Sequence, residues 1–209
     1  HIIPRAFAKI NTYSLRRARF TEGVSYAIMT CEIPRKAVEF MIRGVYLTSK
    51  DDLKDVIALR REVFVDEQGY SPESEPDAGD EMAMYALVFD DGAPVATGRL
   101  YVGDDRLTIG RVCVKRDRRG KGVGDFVMRM LLSRARELNA GSVSLSAQIG
   151  RVGFYERYGF EPYGEVVFDE GRPHQLMRVA GDGINLEGAC GGHSACDGCA
   201  GDCGACDNG

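Results

Sequence analysis

The stretch Arg111-Val-Cys-Val-Lys-Arg-Asp-Arg-Arg-Gly-Lys-Gly-Val-Gly124 joins an apolar strand to a basic, glycine-rich turn that opens an amphipathic helix. Glycines alternate through this turn, so its backbone can take positive φ and approach a ligand closely. The first amides of a helix have no partner within the helix, and they favour an anion. The segment therefore predicts a site for a diphosphate group. Three side chains add full positive charge to it: Arg118, Arg119 and Lys121.

Two common nucleotide-binding patterns do not match this turn. The Rossmann pattern is G-x-G-x-x-G, and a P-loop has Ser or Thr where Gly122 stands. The turn does match the R/Q-x-x-G-x-G/A signature of the GNAT acetyltransferases, as Arg119-Gly-Lys-Gly-Val-Gly124. Downstream, Phe154-Tyr-Glu-Arg-Tyr-Gly-Phe160 matches the F-Y-x-x-x-G-F element of the same family. On these two motifs the chain resembles a GNAT acetyltransferase.

A finer resemblance, over roughly residues 42 to 180, is to the ElaA-like branch of that family. It rests on four short matches: Val63-Phe-Val-Asp-Glu-Gln68, Gly110-Arg-Val112, Ala147-Gln148, and Gly171-Arg-Pro-His174 with Met177. The chain departs from the pattern on the side where the acceptor is expected, which leaves the substrate open. The departures are Asp66, Arg172, Met84-Tyr-Ala86 in place of a central histidine, and Ile149-Gly-Arg151 in place of His-Leu-Gln.

The resemblance implies an α+β acyl-CoA N-acyltransferase fold, a twisted, mostly antiparallel mixed sheet flanked by helices. It also implies that acetyl-CoA is the cosubstrate and that its thioester lies along the strand Val112-Cys-Val114, whose free amides polarise the thioester oxygen. The residues that the resemblance places at the coenzyme are Val112, Cys113, Val114, Arg118, Arg119, Gly120, Lys121, Gly122, Val123, Gly124, Gln148, Phe154 and Tyr155.

Three residues are candidates for proton transfer when an amine attacks the thioester directly. Tyr155 holds the family position of the general acid for the departing thiolate, whose parent thiol has a pKa of about 8.5. Glu67 and His174 are candidates for the base. Each has a structural alternative: packing for the tyrosine, a solvated helix end for the glutamate, and a hydrogen-bonded core role for the histidine. Cys113 could suggest an acyl-enzyme, but direct transfer is favoured because no His-Cys pairing is evident.

Buried and clustered charges leave further alternatives. Arg99 and Arg111 lie within apolar strands, where an unpaired cation is too costly to bury. Their partner is predicted to be Glu67 or Asp66, or else the carboxylate of an acceptor. The acidic segment Glu73 to Glu81 could attract a cationic acceptor such as a polyamine or lysine, although such segments are solvated by default.

Composition narrows the class of protein. The chain has 209 residues, 44% of them hydrophobic, which suits one core with appendages. A net charge of −4 argues against nucleic-acid binding, and no apolar run reaches membrane-spanning length. We expect a cytoplasmic protein that acts on a small-molecule or protein amine, with a homodimer open. The expected organisation is an N-terminal extension (1–41), a GNAT domain (42–180) and a Gly/Cys-rich tail (181–209).

Local patterns predict the elements of the domain. Ile42 to Thr48 is a first strand, and Ser49 to Asp52 resembles a capping box that starts a helix. Residues 68 to 80 have the composition of a mobile loop. Asp90-Asp-Gly92 marks a hairpin between two strands, and a third strand leads into the glycine turn and its helix. A strand over 142–147, a short helix over 151–158 and a final hairpin over 165–179 complete the order.

The tail suggests a second activity. Cys196, Cys199, Cys203 and Cys206 could bind Zn²⁺ as four thiolates, with Cys190 and His193 nearby. The alternative is a disordered or redox-active tail, because the two cysteine pairs are closer together than in zinc ribbons. The sequence therefore leaves three functions open. One is an N-acetyltransferase, and another is a catalytically silent acyl-CoA sensor with a metal- or redox-responsive tail. The third is a thiol-rich metal-binding protein in which the fold is only a carrier.

Overall fold

The computed structural model of the chain describes residues 16–17, 26–28, 42–103 and 106–186. Its strands are β1 Arg16–Arg17, β2 Tyr26–Ile28, β3 Ile42–Thr48, β4 Met84–Asp90, β5 Ala93–Gly103, β6 Arg106–Val114, β7 Ser142–Gln148, β8 Glu161–Asp169 and β9 Arg172–Ala180. They form one nine-stranded sheet in the order β1-β2-β3-β4-β5-β6-β7-β9-β8. All neighbours are antiparallel except β6 and β7, which run parallel. The predicted mostly antiparallel mixed sheet is confirmed.

Helices cover both faces of this sheet. Helix α2 (Val123–Glu137) packs against β4, β5 and β6 on one face. Helix α1 (Lys54–Arg60) continues directly into a π-helix (Arg61–Glu67) on the opposite face. Helix α3 (Val152–Glu156) follows β7 after a 3₁₀ turn. The helix predicted after the first strand is therefore present, but its second half is π-helical, which the sequence spacing did not indicate.

Strand β4 contributes to two separate cores because successive side chains point to opposite faces. Ala86 and Val88 belong to the larger core under α2, whereas Tyr85 and Leu87 belong to the smaller core under α1. A strand buried on both faces is apolar throughout, as the run from Met84 to Phe89 is.

The start of α1 differs from the prediction. The carboxylate of Asp51 accepts hydrogen bonds from the backbone N–H and the hydroxyl of Thr48, both at 2.7 Å, and so closes the turn after β3. Leu53 occupies the N-cap position and provides no side-chain hydrogen bond to the helix. The predicted capping box over Ser49 to Asp52 is wrong, because the helix begins at Lys54 and the carboxylate of Asp52 accepts from the backbone N–H of Lys54 at 3.1 Å instead of pairing with Ser49.

A bulge in β6 shapes the centre of the sheet. Thr97 pairs with Cys113 and Arg99 pairs with Gly110, so β6 has two residues where β5 has one. Arg111 is one of these two residues, and its φ of +53° is unusual for a residue with a side chain.

The same bulge separates β6 from β7. The parallel register joins Leu107–Ile109 to Val143–Leu145 and ends there. Beyond it, β7 continues to pair with β9 as far as Gln148, while Gly110 to Val114 has no partner in β7. A cleft therefore opens between two strands that begin as neighbours.

The acidic loop after the π-helix is folded against the sheet. It contains two 3₁₀ turns, Pro72–Ser74 and Ala78–Asp80, and the second begins with a capping box between Asp77 and Asp80. Glu75 is buried. The loop that the sequence predicts to be mobile, with solvated acids, is instead a packed segment that turns three of its acids, Glu75, Asp77 and Asp80, inward, whereas Glu73 and Glu81 are exposed.

Six residues form a buried ion cluster between this loop and the sheet: Arg60, Glu75, Asp77, Asp80, Arg99 and Arg111. The guanidinium of Arg60 donates to both carboxylate oxygens of Asp80 at 2.7 and 2.9 Å. Arg99 reaches Asp77 at 2.5 Å and Asp80 at 2.7 Å. Three cations thus meet three carboxylates, as buried charges require.

The cluster corrects the partners predicted for the two strand arginines. Arg99 pairs with Asp77 and Asp80, and Arg111 pairs with Glu75 and Asp77. The prediction of Glu67 or Asp66 as partner is wrong, because the acids come from the segment that the sequence assigned to a solvated loop. That a carboxylate must meet each arginine is confirmed.

The ends of the chain contribute little to this description. Tail residues from 187 onward, with all the cysteines proposed as zinc ligands, lie outside the described residues, as does most of the N-terminal extension. Within the described ranges, no helix combines the length and the apolar character needed to cross a membrane.

Neutralising one member of the cluster should be strongly destabilising. We expect Asp80→Asn to lower the free energy of unfolding by about 3–5 kcal/mol, because it leaves buried guanidinium charge uncompensated. The measurement is urea unfolding at pH 7. The matched control is Asp52→Asn, which removes an exposed carboxylate paired with Lys54 and should cost under about 1 kcal/mol.

The same variant predicts a pH dependence. Burial opposes ionisation of Asp80, but hydrogen bonds from Arg60 and Arg99 prevail and hold its pKa well below the usual range. A carboxyl with a lowered folded-state pKa contributes stability above its unfolded pKa of about 3.9, and this contribution is lost as the pH falls toward the folded value. The stability difference between wild type and Asp80→Asn should therefore shrink below about pH 4. A difference independent of pH would contradict the assignment.

Candidate functional site

Side chains line the cleft between β6 and β7 on three sides. The π-helix and the acidic loop border one side, the splayed end of β6 forms the floor, and the start of α3 with the β8–β9 hairpin closes the other side. Of the residues predicted from the sequence, seven line this one cleft: Val112, Cys113, Val114, Arg119, Gln148, Phe154 and Tyr155, together with the candidate base His174.

The glycine turn presents uncovered backbone at the start of α2. Gly120 and Gly122 have φ of +69° and +76°, a region that glycine enters freely. Gly122 is the N-cap, no side chain caps the helix, and a Cβ at this position would meet no atom within 4 Å. Gly124 lies inside α2, as does the buried Val123. The turn therefore offers open amides to an anion, and only two of its three glycines need positive φ.

The cationic side chains of the turn contact protein atoms. Arg118 Nε lies 2.9 Å from a carboxylate oxygen of Asp90, and Lys121 Nζ donates to the carbonyl of Asp117 at 2.9 Å. Arg118 therefore braces the turn against the end of β4. The backbone amides are the groups of this turn that remain open.

Arg119 joins the turn to the opposite side of the cleft. Its Nε donates to the carbonyl of Val114 at 3.1 Å, and its two terminal nitrogens donate to the two carboxylate oxygens of Glu67 at 2.6 and 2.8 Å. These hydrogen bonds from Arg119 hold the pKa of Glu67 below its usual value. Glu67 is thus an ionised partner of Arg119 at the end of the π-helix.

Tyr155 lies on α3 among aromatic rings. Its ring packs edge-on against Phe154 at 5.1 Å and Phe160 at 6.3 Å between centroids. Burial raises its pKa to about 12, against a smaller opposing effect of Arg151. The phenol therefore keeps its proton at neutral pH and can donate it to a group in the cleft.

His174 is buried on β9 with one ring nitrogen engaged. Its Nδ1 lies 2.9 Å from the carbonyl oxygen of Arg172. A carbonyl only accepts hydrogen bonds, so in the neutral ring Nδ1 carries the hydrogen and Nε2 carries the lone pair. No partner of Nε2 occurs among the described residues. The imidazole can therefore accept a proton from the cleft.

Gln148, predicted to bind the coenzyme, lines the cleft at the end of β7. Its Nε2 donates to the side-chain oxygen of Gln68 at 3.0 Å and to the hydroxyl of Tyr70 at 3.1 Å. The guanidinium of Arg172 lies 4.1 Å above the ring of Tyr70. Sequence reasoning missed Tyr70, because it lies beside a glycine in a segment with no periodic pattern that would mark it.

Cys113 lies in the smaller core with 4% of its surface exposed. Burial raises the pKa of its thiol to about 12. A thiol that stays protonated is a weak nucleophile, which agrees with direct transfer rather than an acyl-enzyme.

No metal site occurs in the part of the chain that the structure describes. Within those ranges no group of three or more His, Cys, Asp or Glu residues could hold an ion. The zinc hypothesis concerns Cys196, Cys199, Cys203 and Cys206, which lie beyond residue 186.

Comparison with known proteins agrees with this geometry. A sequence profile described as "Acetyltransferase (GNAT) domain" matches residues 51–180. The chain is 34% identical to the "Uncharacterized N-acetyltransferase YjcF" of Bacillus subtilis over 139 residues, which are 66% of this chain and 99% of that protein.

Two solved structures share both fold and sequence with the chain. One is an acyl-CoA N-acyltransferase from Pseudomonas aeruginosa and the other is ElaA from Escherichia coli. Each is 31% identical, superimposes with a TM-score of 0.61, and matches 66% of this chain and 99% of its own. The resemblance found in the motifs is confirmed, including its ElaA-like branch.

The environment of Cys113 generates a test of the direct mechanism. In a variant that keeps Cys113 and carries Ser at the other six cysteines, we expect no reaction with Ellman's reagent at pH 8 in the native state and one thiol per chain after unfolding in urea. The reason is that the folded protein keeps the thiol of Cys113 protonated and shields it from the reagent. Rapid modification of the folded variant would contradict this and would reopen the acyl-enzyme.

Proposed function

The chain belongs to the GNAT family of acetyltransferases, and we propose that it transfers the acetyl group of acetyl-CoA to an amine by direct attack on the thioester. Membership of this family makes the protein an acyltransferase that uses an acyl-CoA cosubstrate and an amine acceptor. The observation that carries the finer proposal is that Arg119 of the glycine turn, the splayed end of β6 and Tyr155 line a single cleft.

The cosubstrate fits the open backbone of this cleft. The amides at the start of α2 would hold the diphosphate, because they lack both helical partners and a side-chain cap. Gly110 to Val114 has no partner in β7, so its backbone is free to pair with the pantetheine arm. Amides held in this position would polarise the thioester oxygen as its negative charge grows.

Tyr155 is the proposed general acid. Its raised pKa keeps the phenol protonated over the whole working range, and it lines the cleft beside Phe154. The carbon–sulfur bond breaks as the carbon–nitrogen bond forms, the phenol proton moves to the departing thiolate, and the proton released by the acylated nitrogen restores the phenol.

His174 is the proposed base and Glu67 the proposed positioning residue. Both carboxylate oxygens of Glu67 accept hydrogen bonds from Arg119, which lowers the affinity of this group for a proton. His174 instead lines the cleft and has a ring nitrogen, Nε2, with no partner among the described residues. The ammonium form of the acceptor would pass its proton to this nitrogen, directly or through water, before attack.

The acceptor is an amine of a small molecule or a protein. Of the functions that the sequence left open, the silent sensor is not favoured, because the matching profile, the Bacillus subtilis relative YjcF and the Pseudomonas aeruginosa structure carry acetyltransferase or acyltransferase descriptions.

Removing the phenol hydroxyl should separate catalysis from binding. We expect Tyr155→Phe to lower kcat about 10²–10⁴-fold, because the departing thiolate then lacks a proton donor. The dissociation constant for acetyl-CoA should stay within about threefold, because the ring remains. Coenzyme A release with a panel of amines, in a background lacking the tail cysteines, measures the first, and calorimetry measures the second.

The matched control lies three residues away. Tyr158 donates to Asp125 at 2.7 Å and is fully buried, so Tyr158→Phe should cost stability and leave kcat unchanged in folded protein. An unchanged kcat in Tyr155→Phe would remove Tyr155 from the mechanism. Wild-type protein that binds acetyl-CoA but acetylates no amine would contradict the proposed reaction.

The effect of removing the proposed base on kcat should depend on the basicity of the acceptor amine. We expect His174→Gln to lower kcat about 10²-fold for strongly basic amines, which arrive protonated, and much less for amines that are already neutral at the assay pH. The measurement is kcat across an acceptor series of falling basicity. The comparison variant is Glu67→Gln, for which the loss should be independent of acceptor basicity. If the two variants followed the opposite pattern, Glu67 would be the base.

A further inference from the structure

Arg151 lines the cleft but has no role in the reaction proposed above. It ends the 3₁₀ turn Ile149–Arg151 between β7 and α3 and serves as the N-cap residue of α3. Its side chain lines the cleft with Arg119 and Tyr155. Its guanidinium is partly buried and lies close enough to Arg119 for the two charges to oppose each other.

Other arginines around the cleft are neutralised by carboxylates. The ion cluster pairs Arg60, Arg99 and Arg111, and Glu67 pairs Arg119. Arg151 makes no hydrogen bond or ion pair with any described residue. Keeping a half-buried guanidinium beside a second one without a counter-ion is unfavourable, so a purely structural role does not account for this arrangement.

The positively charged groups near Glu67 outnumber the negatively charged ones. Three guanidinium groups, those of Arg116, Arg119 and Arg151, act on the single carboxylate of Glu67 and favour its ionised form. Only Arg119 is in contact with that carboxylate. The mouth of the cleft therefore has more positive than negative charge among these groups, next to a glycine turn with open amides. A ligand with more than one negative charge would balance it.

We propose that Arg151 is a ligand for the diphosphate of the cosubstrate and binds it from the α3 side of the cleft while the glycine turn binds it from the α2 side. This inference rests on the proposed function, since it needs an acyl-CoA in the cleft. Guanidinium groups suit this task because their planar donors match two phosphate oxygens at once. Because no described residue pairs with Arg151, its side chain is available to the ligand.

The test is a binding comparison with three probes. We expect Arg151→Gln, which keeps a polar side chain, to weaken acetyl-CoA about 10–100-fold, the range of one lost charge-assisted contact. S-acetyl-pantetheine, which has no phosphate, should bind wild type and variant equally. Acetyl-dephospho-CoA, which keeps the diphosphate but lacks the 3′-phosphate, should lose as much affinity as acetyl-CoA. Calorimetry at fixed salt measures all three.

Two further measurements distinguish a ligand contact from a structural one. The ligand-free Arg151→Gln variant should melt at or above the wild-type temperature, because the substitution removes repulsion with Arg119 and breaks no pair. Arg151→Lys should retain part of the affinity for acetyl-CoA, because it keeps the charge without the planar fork. The control is Arg134→Gln on the outer side of α2, where Arg134 pairs with Glu137, and it should leave binding unchanged.

Several results would overturn the proposal. One such result is an Arg151→Gln variant that binds acetyl-CoA as tightly as wild type. Another is a variant that loses affinity for acetyl-CoA but not for acetyl-dephospho-CoA, which would assign Arg151 to the 3′-phosphate. An unchanged dissociation constant with a reduced kcat would show that Arg151 acts on Tyr155 instead. None of these results contradicts the proposed function, whereas wild-type protein that binds no acetyl-CoA would contradict it.

Discussion

The bulge at Arg111 is the constraint on which the rest of the site depends. A residue with a side chain held at φ +53° costs about 1–2 kcal/mol, and contacts of Arg111 with Glu75 and Asp77 at 2.5 and 2.7 Å oppose that cost. The bulge displaces β6 from the path of β7, and the cleft follows from this displacement. The buried ion cluster therefore supports the cleft, because it holds the strand that forms the floor of the cleft.

Charge is distributed differently at the two ends of the cleft. Beside the acidic loop, three arginines and three carboxylates compensate each other inside the protein, which leaves little net charge there. Near the glycine turn, the charges of Arg116, Arg119 and Arg151 act on one carboxylate, that of Glu67. The first arrangement stabilises the fold, and the second leaves an excess of positive charge among these groups.

Elements governed by local chemistry were predictable. Strand β3 over Ile42–Thr48, the turn at Asp90-Asp-Gly92 and the glycine turn before α2 all follow from periodicity and from residues suited to positive φ. Predictions failed where a side chain had two competing partners. Asp52 accepts from Lys54 rather than completing a capping box with Ser49, and three acids of the loop after the π-helix pair with arginines rather than facing solvent. Sequence spacing does not indicate which partner a carboxylate takes.

The sequence by itself determined the family, the order of strands and helices, and the glycine turn, because these depend on short motifs and on the period of apolar residues. Only the tertiary structure decided how charged side chains are shared: Glu67 with Arg119, Asp80 with two arginines, and Arg151 with no partner among the described residues. The physical reason is range. Periodicity and turn chemistry act between residues a few positions apart, whereas an ion pair joins groups such as Glu67 and Arg119, 52 residues apart, that meet only when the sheet has formed.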